Sequence, residues 1–285
     1  MEMAKIGPGQ RGGSCRLALT DSDIKGRNLF RKWAGEVGCT FRLDTMGNLF
    51  ARRNGKNPDA PPVVAGSHLD TQPSGGRFDG ILGVLGALEV VRSLSENCIE
   101  TESPIEIAVW TNEEGARFPP AMMGSGVFAG IFEQTEIYAH QDPEGITVED
   151  ELRRTKQLGG TPCKTFPIRA YYELHIEQGP VLEAENTKIG VVTGGQGAYW
   201  THITLHGQGS HAGTTPMKYR KDPVMGASRI ITELREIVRQ HSGAVGTVGH
   251  LETHPASINS IPGQVFFTVD TRHPNEEILQ QINEN

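Results

Sequence analysis

Val63-Val64-Ala65-Gly66-Ser67-His68-Leu69-Asp70 joins a short apolar run to a histidine and a carboxylate two residues apart. Short runs of β-branched residues bounded by Gly and Pro predict buried strands. On a strand, His68 and Asp70 share one face, because side chains alternate with a period of two. This spacing suits a metal-binding histidine whose second ring nitrogen bonds to a carboxylate. The stretch therefore predicts an α/β fold with polar ligands at a strand end.

Two more carboxylate motifs adjoin apolar elements. Asp79 precedes the apolar segment 80–94, which predicts a helix whose N-terminus favours a negative charge beside it. Ile105–Trp110 is a strand-like run that leads to Glu113 and Glu114. A Glu-Glu pair alone is more often solvated acid, but the position of this pair at the end of a buried strand favours a metal site.

A second histidine follows another strand-like run. The stretch 171–176 delivers His175 just before the break at Gly179-Pro180. Ligands in open α/β sheets bind beyond the carboxyl ends of strands, so we expect these side chains to converge.

Together, the motifs resemble the M20 family of dinuclear metallohydrolases. They are most similar to its branch of N-carbamoyl-L-amino acid hydrolases, β-ureidopropionase and allantoate amidohydrolase. The strings that carry the resemblance cover nearly the whole chain: GSHLDT (66–71), GGRFDGILGVLGALE (75–89), WTNEEGARF (110–118), ELHIEQGPVLE (173–183), GSHAGTTPM (209–217), SINSIPG (257–263) and DTRH (270–273).

The resemblance implies a set of metal ligands. His68 and His175 would bind one ion, Asp79 would bridge two ions, and Glu114 would bind the other. The expected cofactors are two divalent metal ions, Zn²⁺ first, with Mn²⁺, Co²⁺ or Ni²⁺ as alternatives, because affinity alone does not select among them.

The resemblance also implies catalytic roles. Glu113 would be the general base, and Asp70 would be the carboxylate that orients His68. A bridging carboxylate can hold two ions close enough to lower the pKa of a shared water.

Four further residues are implied to bind substrate. They are Gln178, His211, Asn259 and Arg272. A planar Arg272 guanidinium would clamp the substrate carboxylate through two bonds, and His211 would stabilise an oxyanion. The alternative for Arg272 is a solvated cation at a strand end. In the family this part of the chain often serves a neighbouring subunit, which predicts a homodimer through the lid.

The implied fold is α/β: a mostly parallel-sheet, dinuclear-metal catalytic domain with an inserted ferredoxin-like α+β lid and dimerisation domain. We predict the catalytic domain over 1–193, a hinge at 194–197 and the lid over 194–285, with a β-α-β-β-α order. In the family the chain then returns to the catalytic domain and supplies another metal-binding His. Because the sequence ends at Asn285, we expect both domains to be incomplete and this chain to be inactive, or nearly so, on N-carbamoyl amino acids.

The predicted function is metal-dependent hydrolysis of N-carbamoyl-L-amino acids or β-ureido acids to amino acid, carbon dioxide and ammonia. Two alternatives remain open: an allantoate amidohydrolase, and a catalytically inactive fragment of such an enzyme. An M20 aminoacylase or dipeptidase is a third, which the HIEQGP and HAGTTPM strings disfavour.

Composition favours a cytoplasmic enzyme with a small-molecule substrate. A net charge of −7 opposes nucleic-acid binding, which requires a basic face. The sequence lacks an apolar run of about 18 residues, so we expect no membrane span. Its start lacks the apolar core of a secretory signal. Cys15, Cys39, Cys98 and Cys163 are scattered, which predicts reduced thiols.

Two histidine pairs lie outside these motifs, and we do not interpret them as metal sites. His202 and His206 share a strand face, and His250 and His254 are four residues apart. Neither pair lies in a carboxylate-rich stretch, so we interpret them as surface or interface residues. Ser210 lacks the strand–turn–helix setting of a serine nucleophile.

Overall fold

A computed structural model describes residues 1–284, which form two compact units. The first unit comprises Met1–Pro180, and the second begins at Val181. The assignment of a catalytic domain to 1–193 and a lid to 194–285 stays a prediction. Within residues 1–284, no helix combines the length and the apolar character needed to cross a membrane.

The first unit is built around one sheet. Its strands are β1 (Thr40–Leu43), β2 (Leu49–Arg53), β3 (Val63–His68), β4 (Ile105–Trp110) and β5 (Ala170–Tyr172). Its helices are α1 (Asp21–Glu36), α2 (Ile81–Glu96), α3 (Met123–Phe128), α4 (Gln134–Tyr138) and α5 (Val148–Arg154), and short 3-10 turns span Met3–Lys5 and Gln10–Gly12.

The sheet has the order β1-β2-β4-β3-β5. The pairs β1/β2 and β2/β4 are antiparallel, whereas β4/β3 and β3/β5 are parallel. The sheet is therefore mixed, and the expectation of a mostly parallel sheet is corrected. The reason is the short 44–48 turn, because a tight turn can only return the chain antiparallel. The α/β class itself is confirmed.

Helices α1 and α2 cover one side of this sheet. Thr20 begins α1 by accepting a hydrogen bond from the Asp23 backbone N–H. The apolar face of α2 meets the sheet in a core that includes Phe30, Leu49, Val84, Val91 and Ile107. Gly83 allows close approach, because a Cβ atom there would lie 2.6 Å from the Leu174 carbonyl and 2.8 Å from Ser67 Cβ.

The second unit contains an antiparallel sheet with the order β6-β10-β8. Its elements are α6 (Val181–Ala184), β6 (Gly197–His206), β7 (Ser210–His211), a 3-10 turn Met217–Tyr219, α7 (Pro223–Arg239), β8 (Val245–His254), β9 (Ser260–Ile261), β10 (Gln264–His273) and α8 (Glu276–Glu284). The Asp222 side chain begins α7 by accepting from the Val224 N–H at 2.9 Å.

The long elements β6, α7, β8, β10 and α8 follow one another in the predicted β-α-β-β-α order. A core of Ala227, Val265, Phe267 and Val269 packs α7 onto the sheet. That this unit acts as a lid and as a dimerisation domain stays a prediction. Strand β5 is shorter than its sequence suggested: it ends at Tyr172, so His175 lies in the irregular segment that follows.

Candidate metal centre

The end of β3 and the start of α2 lie at one place in the first unit. His68 is the last residue of β3, and Asp79 precedes α2. Between Asp79 and α2, Gly80 has a φ of 68°, a left-handed conformation that favours glycine. A Cβ atom at Gly80 would collide with the His68 ring, so only a glycine lets α2 begin this close to the histidine.

The side chains from these elements converge. Among the described residues, the group whose potential ligand atoms all lie within 4.8 Å of one another consists of His68, Asp79 and His175. Asp79 Oδ1 lies 3.3 Å from His175 Nε2 and 3.9 Å from His68 Nε2. The two rings are nearly parallel, with centroids 5.9 Å apart. The structure thus brings three of the four expected ligands together.

Both imidazole rings are anchored through the same nitrogen. His68 Nδ1 lies 2.9 Å from the Asp70 carbonyl oxygen, and His175 Nδ1 lies 2.9 Å from the Ile176 carbonyl oxygen. A carbonyl only accepts hydrogen bonds, so each Nδ1 carries the hydrogen and each Nε2 presents its lone pair. Both lone pairs face Asp79, as in histidines that ligate a metal through Nε2.

The residues present fit a divalent cation. Asp79 Oδ1 is buried without a hydrogen-bond partner among the described residues, while Oδ2 accepts from Gln178 Nε2 at 2.8 Å. Two imidazole lone pairs and an unpaired carboxylate oxygen therefore point at one another. Acceptors in this arrangement repel unless a proton or a metal ion lies between them, and imidazole with carboxylate suits Zn²⁺, Mn²⁺ or Co²⁺.

The adjacent residues Glu113 and Glu114 point in different directions. Glu113 Oε2 lies 3.4 Å from His68 Nε2, at the edge of the cluster. The Glu114 carboxylate instead accepts from Gln72, from its N–H at 3.3 Å and its Nε2 at 2.9 Å. The structure therefore places Glu113, rather than Glu114, against the histidines.

The Asp70 carboxylate is fully buried and holds the 113–114 turn. Its Oδ1 accepts from the Glu113 N–H at 3.3 Å, and its Oδ2 accepts from the Glu114 N–H at 3.1 Å. Its nearest oxygen lies 3.9 Å from His68 Nδ1, farther than the backbone carbonyl of the same residue. Asp70 therefore orients His68 through its backbone and the two glutamates through its side chain, a second contact that the sequence did not predict.

Burial and neighbouring charge shift the proton affinities at this site. Burial lowers the pKa of His68, but the carboxylates of Asp70 and Glu113 outweigh it, so the net pKa is raised. Burial raises the pKa of Asp70 to about 6, against the opposing effect of His68. Burial also raises the pKa of Glu113, which is typical of a general base that works near neutral pH. The field that favours a proton on His68 also favours a metal cation.

The substrate-binding candidates of the second unit divide into two places. His211 and Asn259 are neighbours, because β7 pairs with β9 and the Ala212 N–H donates to the Asn259 carbonyl at 3.0 Å. Arg272 lies near the far end of β10, where its guanidinium forks onto Asp270, with Nη2 2.7 Å from Oδ2. Gln178, in the first unit, bonds to Asp79.

Two polar residues at the cluster were not singled out from the sequence. Gln72 follows the GSHLDT string directly, and Glu173 precedes His175 by two residues. The Glu173 oxygens accept from Ser67 Oγ and from the Tyr171 hydroxyl, each at 2.6 Å. The sequence signal that could have found them is position, since Gln72 lies two residues after Asp70 and Glu173 two residues before His175.

Comparison with known proteins decides the family. The model of peptidase family M20/M25/M40 matches residues 64–284. The chain belongs to this family. The resemblance that the motif strings indicated is thereby confirmed.

Two relatives of this M20 chain are named as amidohydrolases. It is 50% identical over 280 residues to an N-carbamoyl-L-amino-acid amidohydrolase of Rhizobium meliloti, covering 98% of this chain and 67% of that protein. It is 40% identical to an N-carbamoyl-L-amino acid amidohydrolase of Geobacillus stearothermophilus, covering 99% and 70%. A crystal structure of a hydantoinase/carbamoylase family amidase from Burkholderia multivorans superposes with a TM-score of 0.91 at 55% identity, covering 100% and 69%.

Proposed function

We propose that this M20 chain is a metal-dependent amidohydrolase that cleaves N-carbamoyl-L-amino acids to the amino acid, carbon dioxide and ammonia. One observation carries the proposal: in a chain 50% identical to such an amidohydrolase, His68, Asp79 and His175 converge within 4.8 Å beside Glu113. Hydrolysis of a ureido carbonyl needs an activated water and a proton carrier, and this cluster offers the residues for both.

The proposed cofactors are two divalent ions, with Zn²⁺ as the first candidate. His68, His175 and Asp79 would hold one ion, and Asp79 with Glu114 would hold the other. Bound there, the ions would polarise the ureido carbonyl and lower the pKa of the attacking water. Glu114 would have to exchange its bond from Gln72 Nε2 for this role.

Glu113 is the proposed proton carrier. Its carboxylate borders the cluster, and burial raises its pKa above the ordinary value of a glutamate. It would take a proton from the attacking water and return it to the leaving amine. Asp70 would hold it in place, because the Glu113 and Glu114 N–H groups both donate to the Asp70 carboxylate. Gln178, bonded to Asp79, is proposed to meet the substrate beside the cluster.

We further propose a homodimer in which substrate contacts come from two copies. His211 and Asn259 lie at the Gln264 end of β10, whereas Arg272 lies eight residues along this strand. At roughly 3.4 Å per residue the strand separates these ends by about 27 Å. A small N-carbamoyl amino acid does not span that distance, so His211 and Asn259 of one copy would serve a different substrate molecule from its Arg272.

The test is ammonia release by the purified chain with added Zn²⁺ or Mn²⁺. A panel of N-carbamoyl-L-amino acids, their D-enantiomers, allantoate and N-acetyl-L-amino acids identifies the substrate class. Release from the N-carbamoyl-L series should exceed release from every other substrate, whatever the absolute rate. Faster turnover of allantoate would overturn the substrate assignment. Bound metal without turnover of any substrate would favour the inactive-fragment alternative.

A further inference from the structure

The carboxylate of Glu173 joins three strands of the first unit. Ser67 Oγ donates to Glu173 Oε1 at 2.6 Å, and the Tyr171 hydroxyl donates to Oε2 at 2.6 Å. The Tyr171 oxygen in turn accepts from Trp110 Nε1 at 2.9 Å. Ser67 belongs to β3, Trp110 to β4 and Tyr171 to β5, so one carboxylate connects side chains of all three.

These connections surround the two histidines of the metal centre. Ser67 directly precedes His68, and Trp110 is the β4 residue paired with His68 in the sheet register. Glu173 itself lies two residues before His175. The Glu173 carboxylate is thus attached on one side to the His68 strand and on the other to the His175 segment.

Backbone pairing does not reach His175. The parallel register between β3 and β5 ends at the Ala65↔Tyr172 pair. From Tyr172 to His175, the chain approaches α2 through the Leu174 carbonyl, near Gly83. The bond from Ser67 to Glu173 is therefore what continues the attachment of this segment to β3, after the sheet hydrogen bonds have stopped.

We propose that Glu173 is a positioning residue that fixes His175 relative to His68. This inference rests on the proposed function, in which these two histidines hold one metal ion. The Glu173 carboxylate accepts from both hydroxyl groups at 2.6 Å, which is short for hydrogen bonds between oxygen atoms. A metal site tolerates errors of only about 0.5 Å in its ligands. In the described part of the chain, the hydrogen bonds of the Glu173 carboxylate go to Ser67 and Tyr171 and not to Asp79 or Glu113.

The experiment measures binding of Zn²⁺ alone, by competition with a chromogenic chelator, in the unaltered chain and in Glu173→Ala, Glu173→Gln and Glu102→Ala. Glu102 is an exposed glutamate just before β4 and serves as the matched control. We expect Glu173→Ala to weaken the tighter site about tenfold, at the lower end of the range for residues that orient a ligand. Glu173→Gln should recover part of this, because an amide oxygen still accepts from Ser67. Glu102→Ala should change nothing.

Thermal unfolding of the metal-free variants separates positioning from a purely structural role. A lowered melting temperature in Glu173→Ala with unchanged Zn²⁺ affinity would overturn the inference. If Glu173→Ala does not fold, the test uses Ser67→Ala, which removes a single hydrogen bond. We expect Ser67→Ala to weaken Zn²⁺ binding about threefold. Unchanged Zn²⁺ affinity in this variant would also overturn the inference. Absence of Zn²⁺ binding in the unaltered chain would instead refute the metal centre of the proposed function, and this inference with it.

Discussion

The His68 side chain in the first unit is 1% exposed, whereas that of Arg272 in the second is 45% exposed. His68 bonds to buried backbone and faces carboxylates from two other segments. Among the described residues, Arg272 bonds only to Asp270, two residues away on the same strand. The position of His68 is thus fixed by contacts across the folded core, whereas that of Arg272 is fixed by a contact within one strand. Substitutions near His68 should therefore alter ion binding and stability, and substitutions at Arg272 should alter substrate affinity alone.

The largest expected effect belongs to Glu113→Gln. An amide cannot accept the proton of the attacking water, so we expect turnover of an N-carbamoyl-L-amino acid to fall about 10²–10⁴-fold. Metal content, measured by elemental analysis, should stay unchanged, because the cluster of His68, Asp79 and His175 is intact. Loss of bound metal in this variant would show that Glu113 is a metal ligand, not a general base separate from the cluster.

Gly83→Ala should have the next largest effect, confined to the first unit. The new Cβ would lie 2.6 Å from the Leu174 carbonyl and 2.8 Å from Ser67 Cβ, so α2 must shift away from β3. Overpacking of this kind costs about 1–3 kcal/mol of the free energy of unfolding. Denaturant unfolding followed by tryptophan fluorescence measures it.

The matched control for Gly83→Ala is Gly160→Ala. No other part of the described chain lies within 4 Å of a Cβ built at Gly160. Equal free energies of unfolding in the two variants would show that the contact between α2 and β3 accommodates an added methyl group without strain. It would also weaken the view that packing around His68 sets the site.

Arg272→Lys should have the smallest effect and should leave the first unit untouched. An ammonium replaces the planar fork, so bidentate binding of a substrate carboxylate is lost. We expect KM to rise about tenfold with little change in kcat, which corresponds to about 1.4 kcal/mol. Zn²⁺ affinity should not change. Arg239→Lys, at an exposed position near the end of α7, is the control, and an equal rise in KM there would show that the effect is not specific to Arg272.

The elements of the metal centre could be predicted because strand ends and helix starts are visible in the sequence. The apolar runs before His68 and Glu113 form β3 and β4, and β4 has the predicted bounds, 105–110. Convergence of His68, Asp79 and His175 then follows from the topology of the sheet.

The directions of individual side chains could not be predicted in the same way. Whether Glu113 or Glu114 faces His68 depends on the turn after β4, where Asn112 has a φ of 53° and Asp70 binds the two following N–H groups. The bond from Gln72 to Glu114 joins residues 42 positions apart. Such contacts depend on tertiary geometry, which local patterns do not encode.

The hydrogen bonds at Nδ1 of His68 and His175 also have a thermodynamic consequence. Each ring is tied to a carbonyl one or two residues away, so it loses its rotational freedom when the chain folds. Ordering a mobile side chain on binding usually costs about 0.5–1.5 kcal/mol. An incoming ion is spared this entropy loss for both rings. The affinity for the ion then depends mainly on how accurately β3, α2 and the segment after β5 position the ligand atoms. Reorientation of the two rings contributes little to it.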